Sequence, residues 1–177
     1  MSTKLFTIKH FNNSLDVFDL ENKIYSSKWF MDFGKMGAEV FNADEEKIYF
    51  ITKKFKFWKW KMVFTIKDTK GNLTEFTSQN NKKTIYSIDV NEITYELKIH
   101  HKKKKSIFKN RHKIAEFDES FIFKDPNEPV KVQLLDKKDL EICFLLFSCL
   151  KIGDTELNGK SILASQKQLE PNEDPWS

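Results

Sequence analysis

The chain has 177 residues, 40% hydrophobic and 32% charged, with a formal net charge of +4, enough for one domain with a sizeable core. Its 17 Phe exclude disorder over most of the length, and 5 Gly with 4 Pro exclude collagen-like or linker-dominated architectures. No apolar run reaches the roughly 20 residues that span a bilayer, and residues 1–11 carry no signal-peptide apolar region, so a cytoplasmic protein without a transmembrane segment is expected.

Period two dominates up to about residue 134, the signature of strands that bury one face. Residues 5–8, 15–19 and 24–31 alternate in this way, and 40–41 and 47–51 flank a polar break at 42–46. Trp58, Trp60, Met62, Phe64 and Ile66 alternate with Lys59, Lys61, Val63 and Thr65, which predicts a half-buried strand over 58–66. Asp68-Thr69-Lys70-Gly71 reads as a turn, because Gly supplies positive φ at its end. The pattern resumes at 73–77, 84–89, 93–99, 107–108, 112–117, 121–124 and 130–134, with a break at Asp125-Pro126-Asn127-Glu128-Pro129. About a dozen short strands in hairpin-like pairs predict a sandwich or a closed antiparallel barrel.

One segment departs from this pattern. Residues 136–152 read as a helix, with Asp136 as N-cap, Asp139 and Glu141 near the positive end of its dipole, and Lys151 and Gly153 at the other end. Between them, Ile142-Cys143-Phe144-Leu145-Leu146-Phe147-Ser148-Cys149-Leu150 is apolar all round except at Ser148. A helix without a polar face must be surrounded. This one is too short to cross a bilayer core of ~30 Å. It is therefore expected to thread a β-barrel, giving a mainly β domain over 1–157 and a flexible tail over 158–177. Cys143 and Cys149 lie six apart on that helix, about 9 Å in rise, which is too far for a disulfide and suits two free thiols in a reducing compartment.

Many hairpin strands followed by one hydrophobic C-terminal helix resemble the tubby C-terminal-like superfamily, in its LURP-one-related and phospholipid-scramblase-like branches. The phrases that carry the resemblance are 17–25, 40–49, the Trp60-Lys61-Met62-Val63-Phe64 strand before Asp68, and 139–152. The resemblance implies a closed barrel of about twelve strands around a central helix. It implies lipid-headgroup binding as a family tendency. The scramblase-like proline-rich extension, palmitoylated cysteine cluster and spanning C-terminal segment have no counterpart in this sequence.

The basic residues are segregated. Residues 51–67 hold six lysines and no acid, and residues 99–114 hold Lys102, Lys103, Lys104, Lys105, Lys109, Arg111 and Lys113, again with no acid. Such segregation points to an anionic partner. In the first run, Lys53, Lys54 and Lys56 lie among aromatics, a composition that suits an interfacial anchor whose lysines meet anionic headgroups. The competing reading turns the aromatics of a hairpin to the interior and its lysines to water. The alternation from Trp58 onward favours that second reading, with Phe55 and Phe57 open. Four consecutive lysines cannot share a strand face, so 102–105 read as a hairpin tip or loop, either an anion-binding patch or simply solvated. Asn110-Arg111 reads as a second turn.

No phosphate loop, nucleophile elbow, HExxH or paired CxxC pattern is present, which argues against an enzyme. No cofactor is implied. The histidines are scattered or adjacent on a strand, so no metal site is expected. The composition has one arginine among 30 basic residues, so nucleic acid is an unlikely partner. The leading expectation is a cytoplasmic or peripheral-membrane binding module that recognises anionic lipid headgroups through basic loops. A protein-interaction or structural barrel, or a nonspecific nucleic-acid binder, are the alternatives.

Overall fold

Alternating apolar residues need a common interior, and closure of the sheet supplies it. A computed structural model describes residues 3–100, 104–120 and 128–153. Among them the strands are β1 (Lys4–Phe11), β2 (Ser14–Asp19), β3 (Asn22–Asp32), β4 (Lys35–Phe41), β5 (Lys47–Lys56) and β6 (Lys61–Asp68). They continue as β7 (Leu73–Ser78), β8 (Ile85–Val90), β9 (Ile93–Ile99), β10 (Lys104–Lys109), β11 (His112–Asp118) and β12 (Val130–Leu134). Each pairs antiparallel with the next, and β1 pairs with β12 from Lys4 opposite Leu134 to Ile8 opposite Val130, so the barrel is closed. Closure leaves no unpartnered strand among those described, although β7 and β8 pair only at Thr77 opposite Ser87 and Ser78 opposite Tyr86.

The inner row includes Phe6, Ile8, Leu15, Val17, Val40, Ile51, Phe64, Ile66, Leu97 and Val132, all buried. They surround helix α1 (Leu140–Lys151), which is about 18 Å long at 1.5 Å per residue. The unbroken stretch from Cys143 to Cys149 is buried, as a helix without a polar face requires. Its rings stack on the barrel wall: Phe144 lies 6.2 Å from Tyr25 of β3, and Phe147 lies 4.6 Å from Phe117 of β11. A 3-10 turn over Lys137–Asp139 precedes the helix, and the Asp136 carboxylate accepts the Lys138 N–H at 3.0 Å. Gly153 adopts positive φ (+78°) just past the helix, where a left-handed residue ends it cheaply. Gly37 is required for a different reason. A Cβ there would stand 2.5 Å from the Ile51 carbonyl oxygen and 2.8 Å from the Phe30 ring.

Hairpin turns in such a barrel alternate between its two ends. One end carries the turns at 12–13, 33–34, 57–60 and 79–84 and the β9–β10 connection. The other carries the turns at 20–21, 42–46, 69–72, 91–92 and 110–111. Strand β12 runs toward the second end, so α1 starts there and ends at the first. Lys53 and Met36, paired partners near the first end, mark the exit: Lys53 Nζ donates to the Ile152 carbonyl at 2.5 Å.

Two expectations need correction. The strand over 58–66 begins only at Lys61, because the chain makes a 3-10 turn over Phe57–Lys59 and Trp60 takes a left-handed conformation (φ 49°). Lys104 and Lys105 are strand residues of β10 rather than loop, because Lys105 has an ion-pair partner inside. The segment expected at 121–124, the tail at 158–177, and Lys102 and Lys103 lie outside the described residues.

Candidate functional site at one end of the barrel

The β5–β6 hairpin outruns the barrel wall. Strand pairing continues to Lys56 opposite Lys61, three residues beyond the level of Met36 opposite Lys53. Past the rim an inward-facing residue no longer meets the core. Phe55 shares the parity of Ile51 and Lys53, yet it lies half out of the protein. Phe57 packs on it edge to face at 6.2 Å and Trp60 at 6.0 Å, and Phe57 and Trp60 lie 5.3 Å apart. Trp58 projects alone, 97% exposed. The Trp60 N–H bonds the Phe57 carbonyl at 3.1 Å and closes the turn. Lys83, from the β7–β8 loop, sets its ammonium 4.2 Å from the Phe55 ring centroid, a cation–π contact.

The neighbouring β3–β4 tip adds Phe33, 99% exposed, with Met31 beside it. Phe33 and Gly34 both have positive φ (44° and 77°), as the tight two-residue hairpin turn demands. That turn prefers Asn at its first central position, and this chain uses Asn at the corresponding turns Asn91-Glu92 and Asn110-Arg111. An aromatic ring there carries a steric cost. Exposed large apolar residues are unevenly shared between the ends. Phe11, Met31, Phe33, Phe55, Phe57, Trp58 and Trp60 stand at this end, against Leu5, Leu20 and Leu73 at the other.

The structure separates the basic residues that the sequence singles out. Lys54 and Lys56 are exposed beside the aromatic cluster, with Lys56 paired to Glu75 at 3.1 Å. Lys59 is exposed in the turn itself. Lys53 points inward to the helix end. Lys104 is half-buried on the same side of the barrel, whereas Lys105 is buried against Glu119. Lys109, Arg111 and Lys113 are carried to the opposite end by the β10–β11 turn, and Lys109 bonds Asp139 at 2.8 Å. Phe33, Lys82 and Lys83 were not among the sequence candidates. The signal was an aromatic immediately before Gly34, where a strand pattern gives way to a turn.

Inside the same end lies a buried charge cluster. Glu119 has no exposed surface and contacts both Lys105 and Lys151. Both ammonium groups sit 5.6 Å from the Phe147 ring centroid. At the opposite end Glu141, in the first turn of α1, accepts the Tyr49 hydroxyl at 2.6 Å and the Tyr25 hydroxyl at 3.3 Å. Burial, reinforced by that carboxylate, pushes the Tyr25 phenol up to about 12 and raises Tyr49 in the same way. Both cysteine thiols are pushed up by burial and stay protonated, which removes them as nucleophiles.

Among the described residues no helix is long and apolar enough to cross a membrane, and no three His, Cys, Asp or Glu side chains gather as metal ligands. No protein-family model matches the chain, and neither a curated protein nor a solved structure matches it.

Proposed function

We propose that the protein is a non-enzymatic module that binds anionic lipid headgroups at a membrane surface, using the end of the barrel at which the β5–β6 hairpin protrudes. The supporting observation is topological. That end gathers exposed Lys35, Lys54, Lys56, Lys59 and Lys82 around one aromatic tip, a combination that favours an anionic interface. Asp32 is the exposed acid at the β3–β4 tip, exposed Glu75 pairs with Lys56 at 3.1 Å, and Glu119 of the same end is buried and neutralised. The closed barrel and its central C-terminal helix also support a tubby-like affiliation with a peripheral-membrane role. Lys105 and Lys109 are engaged within the fold, so the binding set is narrower than the full basic inventory. Each lysine near an anionic membrane contributes about 1 kcal/mol.

The test is co-sedimentation with phosphatidylcholine vesicles with and without phosphatidylserine, across a salt series. Binding should require the anionic lipid. A Lys54→Gln/Lys56→Gln/Lys59→Gln variant should lose most of it, and a Lys109→Gln/Arg111→Gln/Lys113→Gln variant should not. Equal binding to neutral and anionic vesicles, or none to either, defeats the reading.

A further inference from the structure

Resting on that membrane reading, we infer that the aromatic end is an insertion wedge, with Phe33, Phe57 and Trp58 entering the boundary between headgroups and acyl chains. The lysines alone would hold the protein on the surface, and the rings ask for more. Trp58 and Phe33 are almost wholly in water in the free protein, although the core buries rings such as Phe6, Phe64, Phe76, Phe117 and Phe147. Exposed apolar groups of this size, clustered and rimmed by charge, mark an interaction surface.

The local geometry is built for display. Trp60 and Phe33 both hold positive φ, where bulky side chains are strained. Strain of this kind clusters at functional sites, and although Leu20 at the other end shares it, only here does it coincide with a group of exposed rings. The 3-10 turn, the packed Phe55–Phe57–Trp60 triangle and the Lys83 contact preorganise the tip, so little ordering remains for the binding step. The two tips are adjacent because β4 pairs with β5. Insertion of both together stands the barrel axis steeply on the surface. The occupant is a bilayer rather than a protein groove on the grounds of charge: a collar of lysines matches a uniformly anionic plane, and amphipathic rings with basic flanks sit at the headgroup level.

The experiment separates insertion from adhesion with the full chain, on phosphatidylcholine–phosphatidylserine vesicles. Phe33→Asn restores the residue that the turn prefers, so the melting temperature should hold or rise while vesicle partitioning falls about tenfold, the worth of withdrawing one ring from an apolar medium. Trp58→Ser should weaken partitioning by a similar factor of about ten. Wild type should retain a bound fraction at high salt that both variants lose. Its tryptophan emission should be quenched by acyl-chain-brominated lipid, and Trp58→Phe should remove part of that quenching. If both variants partition like wild type and brominated lipid does not quench, the wedge is refuted while surface adhesion through lysines stands. If wild type binds no anionic vesicle, the membrane reading itself falls, and the wedge with it.

Discussion

Glu119→Gln is the sharpest perturbation of the interior. The carboxylate is fully enclosed, and it neutralises Lys105 and Lys151, whose side chains are only 7% and 9% exposed. Losing one partner of a buried ion pair costs about 3–5 kcal/mol, because a charge is left in a poor dielectric. Here one substitution withdraws the carboxylate from two ammonium groups that share the Phe147 ring. A loss within that range is therefore expected. Against a total stability of about 5–15 kcal/mol, this is a large fraction. For a chain of this length it corresponds to a fall of roughly 6–20 °C in melting temperature. Urea unfolding followed by far-ultraviolet circular dichroism should show a lower midpoint at unchanged slope. A companion triple variant, Lys105→Met/Glu119→Leu/Lys151→Met, removes these three charges together and should recover part of the loss, since apolar replacement of buried ion pairs is often neutral or better. A wild-type midpoint for Glu119→Gln would refute the reasoning. A triple variant as weak as the single would assign the loss to packing instead of charge.

Phe144 and Leu146 face different walls of the barrel and both are buried. Phe144→Asp and Leu146→Asp should each cost more than about 4 kcal/mol, read as loss of soluble folded protein, and near-normal melting of either would mean that its side of the helix faces water. The four tyrosines, at 25, 49, 86 and 95, all have raised phenol pKa values, led by burial. An unfolded phenol ionises near 10, so above that pH the unfolded state binds fewer protons than the folded state and stability falls as pH rises. That stability is fully present below about 10 and is lost on the way to 12 and beyond. Tyrosinate absorbance should therefore appear together with loss of the barrel, and a smooth titration near 10 in folded protein would contradict the buried placements.

Much of the fold was legible because its physics is local. Alternation marked most strands, Asp68 to Gly71 marked a turn, and an all-apolar helix of 142–150 had to be enclosed. The Asp68 carboxylate indeed accepts the Lys70 and Asn72 N–H groups, each at 2.9 Å. The aromatic tip was misread because alternation identifies a face without saying where the barrel wall stops. Trp58 and Trp60 keep the period of Phe64 and Ile66, but they lie above the rim. Phe33 was missed because its conformation is set by a turn that normally selects Asn. Four consecutive lysines read as loop, and nothing local in the sequence reveals that Lys105 pairs with Glu119, fourteen residues away just past the end of the next strand. Long-range charge pairing leaves no periodic trace.

The division of the basic residues between the two ends follows from counting strands. A hairpin from an odd to an even strand turns at the aromatic end, so β5–β6 and β9–β10 share it, while β10–β11 turns at the other. The helix then needs opposite charges at its two termini, since its dipole is positive at the start and negative at the finish. Asp139 and Glu141 lie at the start, held by Lys109, Tyr25 and Tyr49. Lys151 and Lys53 lie at the finish, where Lys53 bonds the Ile152 carbonyl. Part of the positive charge at the aromatic end is thus fixed by the polarity of the helix and belongs to the fold. Strand parity assigns the remainder. Lys53 and Lys105 point inward, whereas Lys54 and Lys56 point outward with Lys59 at the tip. A partner at this end can meet only the outward set. Neutralising Lys53 should therefore loosen the helix terminus and lower stability, while neutralising Lys54 should leave stability within about 0.5 kcal/mol of wild type.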